Sequence, residues 1–211
     1  LNRLPQYWNS AGALIDSIGS VVWCCLPAFD GDPAFCGLLS PKNGGGEWSV
    51  ELEHFASSEQ HYVQNTAILR TILRDTQGGV VEITDFAPRW RHYNRLYRPV
   101  GLFRRVRPLA GSPRIRVRMS PLADWGAREP ERTWGSNHMR WLLPGHVLRL
   151  TTDLSLRMVR DDLPFVLDRD LHFVLGPDET LTQPIGAFFR DAEERTALYW
   201  RDWVRYLSIP L

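Results

Sequence analysis

The stretch AILRTILRDTQGGVVEITDF, Ala67 to Phe86, decides the fold. Two arms rich in Ile, Leu, Val and Thr flank Thr76-Gln77-Gly78-Gly79, which predicts an antiparallel hairpin turned by glycine. Ile68, Thr71 and Leu73 share the first arm with arginines that point outward. The signature recurs upstream, where GALID and SVVWCCL flank Ser17-Ile18-Gly19 and Pro27 ends the second strand. Downstream, PRIRVRMS alternates cleanly, with Ile115, Val117 and Met119 facing one way and Arg114, Arg116 and Arg118 the other. HVLRLTTDLSLRMV and DLHFVLGPDE extend the strand signal, and loose loops are expected at Pro41 to Gly46 and Ala127 to Asn137.

One helix is expected, at the C-terminal end. Asp191 and Glu194 resemble a capping box, and Leu198, Tyr199, Trp200, Trp203, Val204 and Leu207 follow at three-and-four spacing. This stripe must be buried against something. The reading is an all-β antiparallel sandwich over residues 1–190, followed by a connecting helix over 191–211.

At 211 residues, 44% hydrophobic and 23% charged, the chain has the composition of one large globular domain. Its longest apolar run, Val21 to Leu26, is far short of the roughly 20 residues of a membrane span. No signal peptide is visible at the N-terminus. Cys24, Cys25 and Cys36 form neither a disulfide ladder nor a metal-ligand spacing, so reduced thiols in a cytoplasmic protein are expected.

The net charge is +1 but unevenly spread: ten arginines and no acidic residue lie between Arg89 and Arg118, whereas 161–194 is mainly acidic. Interleaved with Trp90, Tyr93, Tyr97 and Phe103, these arginines have the composition of a nucleic-acid surface. The near-zero net charge and the single lysine, Lys42, argue instead for docking against acidic strands or an acidic partner.

No catalytic constellation emerges. Gly44-Gly45-Gly46 lacks the Lys-Ser/Thr of a phosphate loop, the six histidines are scattered, and no G-x-S-x-G elbow occurs. Neither a metal nor a cofactor is expected. Asp30, Asp32, Glu82, Asp85 and Asp124 stand where a glycosidase could place an acid and a base, but Asp before Gly or Pro is first a turn residue.

Four motifs carry a resemblance. GSVVWCCLPAFDGDP (Gly19 to Pro33) resembles the G-S-I-x-W-x-C-L-P-R-F-D of bacterial glycoside hydrolase family fifteen, the glucoamylase-like and trehalase-like enzymes. TDFAP (Thr84 to Pro88), PLADWG (Pro121 to Gly126) and TALYWRDWV (Thr196 to Val204) are similar to that family's D-F-M-P, P-R-F-D-Y-G and T-x-x-Y-W-R-x-W. Ala28 and Leu122 replace two family arginines, and Trp125 replaces a tyrosine.

The resemblance implies an N-terminal, trehalase-like super-β-sandwich whose last helix leads toward an (α/α)₆ catalytic barrel absent from this sequence. It implies a parent that hydrolyses α-glucosides with inversion, through glutamates outside this chain, so the chain alone is expected to be inactive. The domain's own barrel and, through the parent, an oligosaccharide are the implied partners. Phe29 and Asp30 are then candidates for the pocket rim, and Tyr199, Trp200, Trp203 and Leu207 for the interface with the catalytic domain. Trp23, in mid-strand, is expected in the core. The alternative is a self-standing carbohydrate-binding or protein-docking module, in which Trp90, Trp125, Trp134 and Trp141 include an exposed platform. A nucleic-acid binder ranks last.

Overall fold

The computed structural model describes residues 12–39, 46–93 and 95–206. The chain opens with β1 (Gly12–Ile15), β2 (Val21–Cys25), β3 (Pro33–Phe35), β4 (Glu47–Leu52) and β5 (Phe55–Tyr62). It continues through β6 (Leu69–Asp75), β7 (Val80–Phe86), β8 (Trp90–His92), β9 (Arg95–Tyr97), β10 (Leu102–Ala110) and β11 (Arg114–Ser120). The last part holds β12 (Glu131–Trp134), β13 (His138–Leu143), β14 (His146–Thr152), α1 (Leu156–Arg160), β15 (Phe165–Val166), β16 (Leu171–Pro177) and α2 (Ile185–Arg205).

Two antiparallel sheets result. The six-stranded one runs β1-β2-β4-β11-β15 with β3 beside β2, and the eight-stranded one runs β12-β13-β14-β16-β10-β7-β6-β5; β8 and β9 form a separate ribbon. Both expected hairpins are present. Gly19 and Gly78 turn them at φ +83° and +90°, a region that residues with a Cβ rarely adopt. Their inward sets and those of β4, β10, β11 and β16, including Val21, Trp48, Val50, Leu73, Ile83, Val106, Ile115, Val117 and Phe173, make one continuous core between the sheets. A second, smaller core of Ile68, Phe86, Trp90, Phe103, Phe189 and Ala192 lies on the outer face of the eight-stranded sheet, under α2. Ile68 therefore faces away from Thr71 and Leu73.

Three expectations are corrected. The strand expected through Val159 ends at Thr152, and α1 follows. The Thr152 hydroxyl accepts the Leu154 N–H at 3.1 Å and turns the chain, after which one helical turn buries Val159 as well as a strand would. The second loose loop contains β12, which is exposed along its whole length and so carries no apolar alternation. The C-terminal helix starts at Ile185, after Pro184, rather than at Asp191. Asp191 is mid-helix, paired with Arg195 at 2.8 Å, and the preceding turns are held by Phe188, Phe189 and Ala192.

One ion pair lies between the sheets. Arg104 on β10 and Asp85 on β7 are register partners, and both are buried. Arg104 Nε and Nη2 donate to the Asp85 carboxylate at 2.7 and 3.0 Å. Nη2 and Nη1 also donate to the carbonyls of Gly19 (2.7 Å) and Trp48 (3.2 Å), in the opposite sheet. Burial pushes the Asp85 carboxyl up, and the guanidinium opposes that push.

Removing one member of such a pair strands a buried charge, so Arg104→Ala is expected to cost about 3–5 kcal/mol. A double-mutant cycle with Asp85→Val, read by urea unfolding, is expected to give a coupling of about 1–3 kcal/mol. Additive losses would show that the two side chains act independently.

Candidate functional site

Two places on the fold gather the residues singled out in the sequence. The first is α2. Its inner half is seated on the eight-stranded sheet, with the Phe189 ring 5.1 Å from Phe86 and 6.2 Å from Phe103. Glu193 accepts from Arg105 Nη1 at 2.6 Å, and the Thr196 hydroxyl accepts the Arg89 N–H at 3.1 Å. Beyond Thr196 the helix leaves the sheet and its character changes. Tyr199 and Trp200 are half-buried, with the Arg89 guanidinium 5.2 Å from the Trp200 ring. Trp203, edge-on to Trp200 at 5.7 Å, is exposed, and so are Leu198 and Tyr206. They line a groove of about 580 Å³ together with Trp90 and Arg91 of the ribbon. Leu207 lies outside the described residues.

The second place is a corner on the six-stranded sheet. Phe29 and Asp30 occupy a tight turn closed by the Gly31 N–H donating to the Ala28 carbonyl at 3.1 Å, and both are exposed. The Phe29 ring covers Gly12, where a Cβ would come within 2.6 Å of ring carbon Cε2, so a side chain there would displace the ring. Asp32 accepts the N–H groups of Asp124 and Trp125 at 2.6 and 2.7 Å. Those two residues and Gly126 are consecutive in the left-handed region, at φ +56°, +59° and +88°. Such a run points its N–H groups into a concavity that suits an anion, and the Asp32 carboxylate fills it. Arg128 pairs with Asp124 at 2.9 Å on the same loop. The FDGDP and PLADWG motifs thus meet in space.

The corner is aromatic. Trp125 is exposed and lies 6.5 Å from Trp23. Trp23 is half-buried and shares a face with exposed Leu14, its register partner, so the core reading of Trp23 is corrected. The bulges at Leu14/Ile15 and Cys24/Cys25 explain the error, because they move residues between faces within one apolar run. Of the four platform candidates, Trp90 and Trp141 are buried, whereas Trp125 and Trp134 are exposed.

The remaining candidates serve as structural groups. Among the described residues no cluster of three or more His, Cys, Asp or Glu could hold a metal ion. The three cysteines are buried thiols, and burial pushes Cys24 up to about 12, which leaves almost no nucleophilic thiolate at neutral pH. Glu82 is buried beside Arg105 and Arg70. From Arg104 onward the arginine-rich stretch is answered within the chain. Arg107 grips Asp170 at 2.7 Å and holds its carboxyl below the usual range, Arg114 meets Glu53, and Arg118 meets both Glu51 and Asp162. Asp162, Asp170 and Glu193 all come from the acidic part of the sequence, so the charge contrast is largely internal pairing. What sequence reasoning missed is the Asp32 contact with the 124–126 turn, for which only the turn-forming residues themselves gave a signal.

Asp32→Ala removes the acceptor of two N–H groups in a strained turn and is expected to cost about 1–3 kcal/mol. It should also alter the near-ultraviolet circular dichroism of the Trp23–Trp125 pair at a temperature where the fold persists. An unchanged spectrum and stability would show that the loop holds its shape without the carboxylate.

In comparisons with known proteins, no curated protein and no solved structure matches the chain. A family model described as trehalase-like, N-terminal, matches residues 7–136. The match takes in both halves of the aromatic corner and ends before β13, so α2 and its TALYWRDWV motif lie beyond it. With more than half of its residues matched, the chain belongs to the trehalase-like N-terminal domain family.

Proposed function

We propose that this domain is the non-catalytic N-terminal part of a glycoside hydrolase acting on α-glucosides, of glucoamylase-like or trehalase-like type. Its role is to support the catalytic domain and to contribute to the rim of the substrate pocket. The observation that carries this reading is the change of character along α2. The half that reaches Thr196 is sealed by Phe189, Ala192 and Thr196, and the half beyond it exposes Leu198, Trp203 and Tyr206. A surface helix whose aromatic stripe outruns its own sheet is suited to bury that stripe against a second domain. Phe29 and Asp30 are the proposed rim residues, with Trp125, tied to the same corner through Asp32, as an aromatic surface for a sugar ring. Three buried free thiols support a cytoplasmic setting, and no described helix is long and apolar enough to cross a membrane.

The test is to capture the native polypeptide from its source cells with an antibody against this chain, weigh it, and assay trehalose and maltose hydrolysis. A product heavier than 24.3 kDa that hydrolyses an α-glucoside is expected. A product of 24.3 kDa without hydrolytic activity overturns the reading.

A second reading, a self-standing carbohydrate-binding module, draws on the exposed Trp125 next to Trp23. It is separated by titrating the 211-residue chain with maltose and trehalose to millimolar concentration while following tryptophan fluorescence. The support role predicts no saturable shift, and a shift abolished by Trp125→Ala would favour the module.

A further inference from the structure

The eight-stranded sheet ends on β5, an eight-residue strand exposed along most of its length. Every other sheet end among the described residues is short: four residues in β1 and in β12, three in β3, β8 and β9, and two in β15. Long open edges are the places where a sheet accepts another strand, and natural proteins usually blunt them with proline, lysine or inward-pointing charge. The β5 sequence, FASSEQHY, has neither proline nor lysine, and its inward positions are Ser58, Gln60 and Tyr62.

The direction of its free backbone groups follows from the hairpin that joins β5 to β6. Val63 N–H donates to the Ile68 carbonyl at 2.8 Å, so Val63 points its backbone groups toward β6. Alternation then turns those of His61 and Glu59 toward β6 as well, and those of Ser58, Gln60 and Tyr62 away from it. The bulge in this pair lies between Phe55 and Ser57, before that run begins. Among the described residues, three consecutive pairing positions are therefore open on the edge.

A second copy of β5 lying antiparallel must match its open residues to open residues, which permits only registers that pair like with like. Centring on Glu59 opposes two glutamates, and centring on His61 leaves Glu59 opposite Val63. Centring on Gln60 places Ser58 against Tyr62 and Glu59 against His61, each pair twice by symmetry. In that register alone a carboxylate faces an imidazole on both sides of the axis. Glu59, which meets Arg74 at 3.3 Å within the chain, and His61 are both exposed, so neither must leave the core to face a second copy.

We infer that the chain pairs with a second copy of itself through β5, in an isologous antiparallel register centred on Gln60, joining two eight-stranded sheets into one. Analytical ultracentrifugation of the 211-residue chain is expected to show a concentration-dependent dimer. Ser58→Pro removes an outward N–H at an edge position that tolerates proline, and is expected to give a monomer with native circular dichroism. His61→Glu sets glutamates opposite each other and is expected to weaken the dimer about tenfold, as is Glu59→His by pairing imidazoles. The double exchange Glu59→His with His61→Glu restores the pairing, and this recovery is specific to the Gln60-centred register. A chain that remains monomeric at every concentration overturns the inference. A dimer indifferent to all of these substitutions does so too, by placing the interface elsewhere. Because the charge exchanges lie on exposed side chains, they test the register even if Ser58→Pro disturbs the strand.

Discussion

The Arg104 guanidinium is the point on which the two sheets agree. It is fully buried, carried by the eight-stranded sheet, and it donates to two carbonyls of the other sheet while its charge is matched by Asp85. A buried charge is costly unless it is both paired and hydrogen-bonded, and four of its donor contacts meet that condition only when Gly19, Trp48 and Asp85 are all in place. The Trp48 ring lies 4.5 Å from the guanidinium carbon, which adds a cation–π contact inside the same pocket. Apolar packing brings the sheets together, but it tolerates sliding. The fixed geometry of this fork selects one relative position.

That requirement extends to the turn of the first hairpin. The Gly19 carbonyl is one of the acceptors, and its Cα lies so close to the opposite sheet that a Cβ would meet the Ile83 side chain at 2.9 Å. A residue with a Cβ there would be held in a strained left-handed backbone and would have to displace the Ile83 methyl, beside the carbonyl that serves Arg104. The glycine therefore serves the turn, the sheet spacing and the buried charge together. Asp16 accepts the N–H groups of Ile18 and Ser20 at 3.0 and 2.8 Å, which orients the turn.

Much of this architecture was legible because strands announce themselves by alternation. The β6–β7 hairpin and the three inward residues of β11 followed directly from spacing. Arg104 was not legible, because in the run LFRRVR it stands beside Arg105, which faces the helix, and Arg107, which pairs with half-exposed Asp170; only the register partner Asp85, nineteen residues away, distinguishes it. The start of α2 was missed for a related reason. Asp191 and Glu194 looked like a cap, yet the sheet face presenting Phe86 and Phe103 stabilises helical turns that begin at Ile185 without a capping side chain. Tertiary packing overrode a local signal. The corner was half legible: its motifs were visible separately, but no spacing rule predicts that Asp32 meets Trp125 across 93 residues.

The pin between the sheets and the seat of the helix are built from neighbouring residues on the same two strands. On β10, Phe103 faces α2 and Arg104 faces the opposite sheet; on β7, Phe86 and Asp85 divide in the same way, and the register pairs Phe103 with Phe86 and Arg104 with Asp85. Each strand therefore commits adjacent residues to opposite faces, and neither can shift by one position without exchanging a buried ion pair for an aromatic one. Phe189 rests on the aromatic pair, and Glu193, one turn along, takes Arg105 from the next residue of β10. Forces applied to α2 by anything that covers its exposed half consequently reach the strand pair that sets the sheet spacing, with no loop in between to absorb them. A helix mounted in this way acts as a bracket between the sheet and whatever covers it, which is the property that the proposed supporting role requires.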